Sequence, residues 1–116
     1  MNKYVVLYKT EAALQGMSAA DMFANTPPEQ LEAGMAMWKA WHDSCADAIV
    51  DLGAPLDKPV EVKDGVSTPV KSAVSGYSIL QAESLAAATD LMKGHPHFFA
   101  PGASIEVFEC VKIPGM

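Results

Sequence analysis

Hydrophobic side chains recur along the chain with two different periods, and these periods predict the secondary structure. Alternation of apolar positions at every second residue predicts strands over residues 3–9, 76–84 and 104–113. Recurrence at every third or fourth residue predicts helices over residues 27–52 and 85–93. A short strand is predicted at 60–63, while residues 66–75 fit either a hairpin arm or a loop.

Local signals mark the ends of the predicted helices. Ser18, with Asp21 three residues later, predicts the start of a short helix. Thr26 is placed to cap the next helix, and Pro27 suits its first position. Gly53, which is followed closely by a proline, predicts that this helix ends at about residue 52.

The order of the predicted elements is β-α-β-(β)-β-α-β. It predicts one α+β domain over residues 1–116, a ferredoxin-like βαββαβ sandwich with its helices on one face of the sheet. The first, third and fourth sheet strands carry apolar residues on both sides, which would leave a large exposed patch in a monomer. We therefore expect a homodimer in which two sheets face each other.

The composition narrows the range of partners. The 116 residues are half hydrophobic and carry a net charge of −6. No apolar stretch has the length of a membrane span. All eight basic residues are lysines, scattered along the chain, so we expect no nucleic-acid partner. Cys45 and Cys110 lack metal-ligand spacing and are expected to be free, buried thiols of a cytoplasmic protein.

The segment MWKAWHDSCADAIVDLG, residues 37–53, concentrates two tryptophans and a histidine. On a helical wheel of about 100° per residue, Trp38 marks the centre of the apolar stripe and Trp41 its margin. His42 falls about 40° from Trp38, inside the stripe. It is either a structural histidine at the edge of the core or an acid, base or donor in a pocket. The far side of the wheel carries a predicted acidic ridge, formed by Asp43, Asp47 and Asp51.

A second histidine group, GHPHFF, follows the last predicted helix. His95 and His97 bracket Pro96, so in an extended segment their side chains point to the same side. Together with His42 they have the ligand types of a three-histidine metal site, but no carboxylate is placed to orient them. Simple loop histidines are favoured, and no metal or organic cofactor is expected. The chain also lacks the common nucleophile and phosphate-loop motifs.

Four segments follow one another along the chain: YVVLYK, PEQLEAGMAMWKAWHDSCADAIVDLGAPL, SGYSILQAESLAAATDLMKGHPHF and GASIEVFECVKI. In this order, and over nearly the whole chain, they resemble the YCII-related (DGPF-like) family of small bacterial proteins. The resemblance implies a dimeric α/β barrel built from ferredoxin-like subunits. Some relatives pair a histidine of the first helix with the aspartate of an Asp-Pro segment in acid/base chemistry, including dehydrochlorination of an aromatic ring.

This chain departs from that pair of residues. His95-Pro96 stands where the family has Asp-Pro, and the position of the helix histidine falls near Ala36. The DGPF string is replaced by DGVSTP.

Two functional hypotheses follow. The first is a homodimeric small-molecule-binding protein with a pocket between helix 27–52 and the sheet, in which Trp38, Trp41, Tyr77 and His97 contact the ligand. The alternative is a cofactor-independent acid/base enzyme, lyase- or dehydrochlorinase-like, in which His42 or His95 is catalytic. A cofactor-free monooxygenase is suggested only by analogy of fold.

Overall fold

The computed structural model describes residues 1–116, which form an α+β protein. The strands are β1 (Asn2–Lys9), β2 (Ile49–Pro55), β3 (Val60–Lys63), β4 (Val66–Pro69), β5 (Val74–Ala82) and β6 (Ser104–Glu109). The helices are α1 (Glu11–Leu14), α2 (Ala19–Asn25), α3 (Pro28–Ser44) and α4 (Leu85–Asp90). Short 3₁₀ turns occupy Ala46–Ala48 and Pro96–Phe99. The predicted α+β class is confirmed.

The main sheet has four antiparallel strands in the order β2-β5-β1-β6. Alternate residues of its central strands are buried beneath α3 and α4, and we call this side the covered face. Its core comprises two clusters: Val6, Tyr8, Trp41, Leu80 and Met92, and beside them Tyr4, Ala82 and Ala88. The opposite side, the open face, presents Val5, Leu7, Tyr77, Ile79 and Phe108.

The predicted helix 27–52 is wrong beyond Ser44. The chain leaves the helix at Cys45, makes a 3₁₀ turn and enters β2 at Ile49, which pairs with Leu80 of β5. The apolar run of β2 has a length that fits a strand or a helix, and pairing with the edge of the sheet decides between them. The predicted acidic ridge therefore does not exist, since only its first aspartate belongs to α3.

Gly53, predicted to end a helix, instead lies within the irregular part of β2. Its φ is +82°, and the register of β2 against β5 shifts around it. A Cβ atom at this position would lie 1.8 Å from the carbonyl oxygen of Tyr77. The residue is therefore required by close approach of two backbones, which only glycine permits.

The predicted helix starts are partly correct. Ser18 accepts a hydrogen bond from the backbone N–H of Asp21, and Ser84 accepts one from Ala87. The predicted cap at Thr26 is wrong, because its hydroxyl donates to the carbonyl of Met22. The N-cap position is occupied by Pro27, which provides no side-chain cap, and α3 begins at Pro28. The last helix and the last strand are each shorter than predicted, ending at residues 90 and 109.

Residues 60–69 form a separate two-stranded hairpin, which resolves the alternative for 66–75 in favour of a hairpin arm at 66–69. Asp64 and Gly65 make its two-residue turn with φ values of 52° and 77°, the conformation of a type I′ turn. Val60 and Val62 of β3 remain exposed. The predicted strand at 60–63 is thus correct in position but lies outside the main sheet.

The two cysteines are free, as predicted, although Cys45 is half-buried and Cys110 is exposed rather than buried. No helix of the protein combines the length and the hydropathy needed to cross a membrane.

Candidate functional site

Four aromatic side chains pack together between α3 and the covered face: Tyr8, Trp38, Trp41 and His95. We call them the aromatic cage. His95 is at the centre. Its ring centroid lies 4.3 Å from that of Trp41, 4.6 Å from that of Trp38 and 5.0 Å from that of Tyr8. The Trp38 ring is nearly perpendicular to that of His95, with an interplanar angle of 83°. Only 1% of His95 is accessible to solvent.

Three separate parts of the chain build this cage. Helix α3 contributes both tryptophans, and the indole N–H of Trp41 donates to the carbonyl of Leu91 after α4, at 3.0 Å. Strand β1 contributes Tyr8 from the covered face. His95 follows α4, where its backbone N–H donates to the carbonyl of Met92. The helix, the strand and the loop are thus held together at this point.

The hydrogen bonds of His95 define its tautomer. Its Nδ1 accepts from the backbone N–H of His97 at 2.9 Å, so the proton of the neutral ring is on Nε2. Nε2 is buried and has no hydrogen-bond partner within the protein. An unpaired buried donor costs about 1–3 kcal/mol, so it requires an explanation.

The environment keeps this imidazole uncharged. Burial, with a smaller contribution from the neighbouring His97, lowers the pKa of His95 to about 4. At neutral pH the ring is therefore a neutral donor in an apolar, aromatic setting. It is poorly suited to give or take a proton there, because general acid/base catalysis favours a pKa near the working pH.

His97 has a structural position beside the cage. Its Nε2 lies 2.9 Å from the carbonyl oxygen of Lys9 and 3.1 Å from that of Ser104. Both partners are acceptors, so Nε2 carries the proton and donates to them. The side chain therefore ties the 3₁₀ turn at Pro96–Phe99 to the ends of β1 and β6.

Tyr8 is part of a short buried chain of hydroxyl groups. Ser78 donates to the carbonyl of Leu52 at 2.6 Å, so the hydroxyl of Tyr8 donates to Ser78, at 2.8 Å. Burial raises the pKa of Tyr8 to about 12. Ser78 is not among the residues predicted from the sequence. A polar residue at an inward position of the alternating GYSILQA strand is a usable signal for a buried hydrogen bond.

His42 lies outside the aromatic cage. It is half-exposed in the last turn of α3, and its Nδ1 lies 3.3 Å from a carboxylate oxygen of Asp43. The Lys39 ammonium bonds the same carboxylate at 2.7 Å, and these two partners, Lys39 first, lower the pKa of Asp43. The expected position beneath the helix is wrong, because α3 buries Trp41 rather than Trp38 most deeply. His42 follows Trp41 directly and therefore lies about 100° from it around the helix.

Tyr77 is also separate from the cage, because it projects from the open face. Its hydroxyl donates to the Asp51 carboxylate at 3.2 Å. The structure thus brings together four of the predicted site residues, Trp38, Trp41, His95 and His97, and separates His42 and Tyr77 from them. No set of three histidine, cysteine or carboxylate side chains is arranged to hold a metal ion.

A cleft of about 290 Å³ lies elsewhere, between the α1–α2 region and the base of the hairpin. Its apolar lining includes Met17, Leu56 and Val70. The carboxylate of Asp57 at its edge accepts from the hydroxyl of Ser18, at 2.7 Å, and from backbone N–H groups. We favour the cage over this cleft as the candidate site, because the Asp57 carboxylate is engaged within the protein while the cage contains an unpaired buried donor.

The cage combines apolar aromatic walls with one fully buried neutral donor, which can pair with one acceptor atom. Comparison with models of known protein families finds no match to this chain, and comparison with curated proteins finds no significant match either.

Proposed function

We propose that this protein binds a small molecule in the aromatic cage and works as a homodimer. The observation that carries the binding proposal is the unpaired Nε2–H of His95. This donor is buried, neutral and surrounded by ring faces. A ligand acceptor at Nε2 would remove the cost of the unpaired group, which gives a specific source of affinity.

Trp38 is the wall through which a ligand would enter. It is half-buried, whereas the other three cage residues are at most 7% exposed. Gly34 lies one turn before Trp38 on α3, on the side toward which helical side chains lean. A Cβ atom at Gly34 would have no neighbour within 4 Å, so the space at this position of α3 is open. Rotation of Trp38 into this space would uncover His95.

Binding is favoured over proton transfer for two reasons. The pKa of His95 is lowered by burial to about 4, far from neutral pH. His42 has a carboxylate partner but is on the half-exposed end of α3, outside the cage. The enzyme alternative with His42 or His95 as acid or base therefore has weaker support than the binding function.

The test uses the two tryptophans as reporters, since they are the only ones in the chain and both belong to the cage. The indole ¹H–¹⁵N signals of wild type, His95→Phe and Tyr77→Phe would be followed during titration with mono- and bicyclic aromatic compounds. We expect at least one compound to shift both signals and to bind His95→Phe about tenfold more weakly. Tyr77→Phe, on the open face, should keep the wild-type affinity.

Circular dichroism would establish that His95→Phe keeps its fold. The binding proposal is wrong if no compound in the panel shifts the indole signals, or if His95→Phe binds as tightly as wild type.

The proposed subunit architecture is ferredoxin-like. The order β2-β5-β1-β6 supports it, with α3 connecting β1 to β2 and α4 connecting β5 to β6. The hairpin is then an insertion between β2 and β5. The resemblance to the YCII-related family and its dimeric α/β barrel belongs to the same proposal. The two free thiols favour a reducing compartment, and the proposed location is the cytoplasm.

The proposed dimer forms through the open face. The centre of this face is apolar, and three of its charged groups are paired within the chain: Lys9 with Glu106 at 3.1 Å, and Asp51 with the Tyr77 hydroxyl at 3.2 Å. The subunit is also flat, 43 × 42 × 20 Å. Its radius of gyration is 15.6 Å, against about 13 Å for a compact domain of this length. A flat molecule with one uncovered apolar face gains burial by pairing with a second copy.

Sedimentation equilibrium tests the dimer with Phe108→Glu, on the open face, and Val62→Glu, on the hairpin. Both side chains are more than half exposed, so neither substitution disturbs the core. We expect wild type and Val62→Glu to have twice the 12.3 kDa chain mass and Phe108→Glu to have a single mass. A monomeric wild type would contradict the proposed dimer, whereas the binding proposal does not depend on this result.

A further inference from the structure

We propose that the aromatic cage selects an uncharged aromatic ligand that carries a carbonyl group, such as an aryl ketone or aryl amide, over the aromatic carboxylate of the same size. This inference rests on the proposed binding function and names the chemical class of its ligand.

The walls of the cage favour a flat ring. The Trp38 and Trp41 rings are almost perpendicular, at 79°, with centroids 6.3 Å apart. Tyr8 meets Trp38 edge to face, at 80° and 5.1 Å. The rings around His95 thus meet one another edge to face. Aromatic rings pack well in such offset and edge-to-face arrangements, which contribute affinity beyond the buried area.

Apart from the indole N–H of the half-buried Trp38, the polar groups of the cage leave one donor free. The indole N–H of Trp41 is used by the carbonyl of Leu91, and the hydroxyl of Tyr8 donates to Ser78. The Nδ1 of His95 accepts from the backbone of His97. Nε2 of His95 remains, and one N–H pairs with one acceptor atom of a ligand. A carbonyl oxygen on a flat ring has the geometry for this bond.

The cage has no cation to pair with a carboxylate. The chain contains no arginine, and the lysines of α3 and of the segment after α4 are bonded to carboxylates: Lys39 to Asp43 and Lys93 to Asp90. A carboxylate carried into the cage would lose its hydration without gaining an opposite charge, which is strongly unfavourable. A carbonyl group loses much less on the same transfer.

Two further observations also favour an uncharged ligand over a carboxylate. His95 is held neutral at physiological pH, since burial lowers the pKa of its ring. It therefore offers a hydrogen bond but no positive charge. The whole chain carries a net charge of −6, which reduces the rate of encounter with anions.

The experiment compares three ligands of matched size at about pH 7.5: acetophenone, benzoate and toluene. The first is neutral with a carbonyl, the second is an anion, and the third has no acceptor. Affinities would be measured from the indole ¹H–¹⁵N signals of wild type and His95→Phe. We expect acetophenone to bind wild type about tenfold or more tightly than either other compound, and this preference over toluene to disappear in His95→Phe.

The outcomes separate this inference from the function on which it rests. Equal or tighter binding of benzoate would overturn the ligand class while leaving binding at the cage in place. Equal binding of toluene would show that the Nε2–H is not used, and would also overturn it. Failure of these three and of the wider aromatic panel to shift the indole signals would refute the proposed function itself.

Discussion

The buried imidazole of His95 should make the stability of the protein depend on pH between about 6.5 and about 4. Its pKa is lowered from the ordinary value of 6.5 to about 4, so the folded protein keeps the ring neutral while the unfolded chain takes up a proton below pH 6.5. Unfolding is therefore coupled to proton uptake in this range. The stabilising contribution is complete above pH 6.5 and is lost progressively as the pH falls toward 4.

The magnitude follows from the size of the pKa shift. Each unit corresponds to about 1.4 kcal/mol, so a shift of this size represents about 3 kcal/mol in the free energy of unfolding. The structure gives two reasons for the effect. Protonation would put a charge among three aromatic rings, and it would place a second N–H on Nδ1, against the backbone N–H of His97 from which Nδ1 now accepts.

Urea unfolding of wild type and His95→Phe, followed by circular dichroism at about pH 7.5, 6.5, 5.5 and 4.5, measures this contribution. The pH dependence of the difference between the two proteins is the informative quantity, because the carboxylates and His97 are present in both and cancel. Tyr8 and Cys45 stay uncharged across the range, since burial raises the pKa of each.

We expect wild type to lose about 2.5 kcal/mol more than His95→Phe between the ends of this range, because the folded ring is not yet fully protonated at its lower end. His42→Gln serves as the control, because it removes a half-exposed imidazole from the end of α3. If His95→Phe keeps the full pH dependence of wild type, the cage does not hold the His95 ring neutral, and the predicted origin of the pH dependence is refuted.

Three further predictions concern packing and hydrogen bonds. In urea unfolding, Gly53→Ala should destabilise the protein by about 3 kcal/mol or more, because the new Cβ would collide with the carbonyl of Tyr77 in β5. Gly65→Ala is the control: its φ is similar but the space around it is open, so it should cost only about 1–2 kcal/mol. Tyr8→Phe should lower the free energy of unfolding by about 1 kcal/mol. Ser78→Ala should lower it by about 2–4 kcal/mol, because the Tyr8 hydroxyl and the Leu52 carbonyl both lose their partner. Equal costs would contradict the proposed direction of these bonds. In Trp41→Phe the remaining tryptophan is half-buried, so acrylamide should quench its fluorescence more strongly than that of wild type.

The central strands show how far local pattern carries a prediction. Apolar residues alternate regularly over 3–9 and 76–84, and the ends of each predicted range lie within two residues of the ends of the observed strand. In the two central strands the side-chain period has only one good solution, so tertiary contacts do not alter it. The turn at Asp64 and Gly65 uses residue types that tolerate positive φ, yet the segment after it fits a hairpin arm or a loop until its pairing is known.

Residues 45–55 show the opposite case. The AIVDLGAP segment has an apolar content that suits a helix or a strand, and Gly53 has the same sequence signature in a helix cap and in a bulge. Pairing with β5 makes it a strand, and the approach of the Tyr77 carbonyl explains the glycine. Neither contact is local in sequence, so no window of residues contains it.

The candidate site divides in the same way. The residue pattern is enough to place two tryptophans on one helix and His95 after the next helix, and it shows an acidic protein without arginine. The packed fold is needed to bring His95 close to both tryptophans and Tyr8, and to place His42 and Tyr77 elsewhere. The physical reason is distance along the chain: Tyr8 and His95 are 87 residues apart, and their contact exists only once β1 is paired in the sheet and α3 and α4 are packed over it.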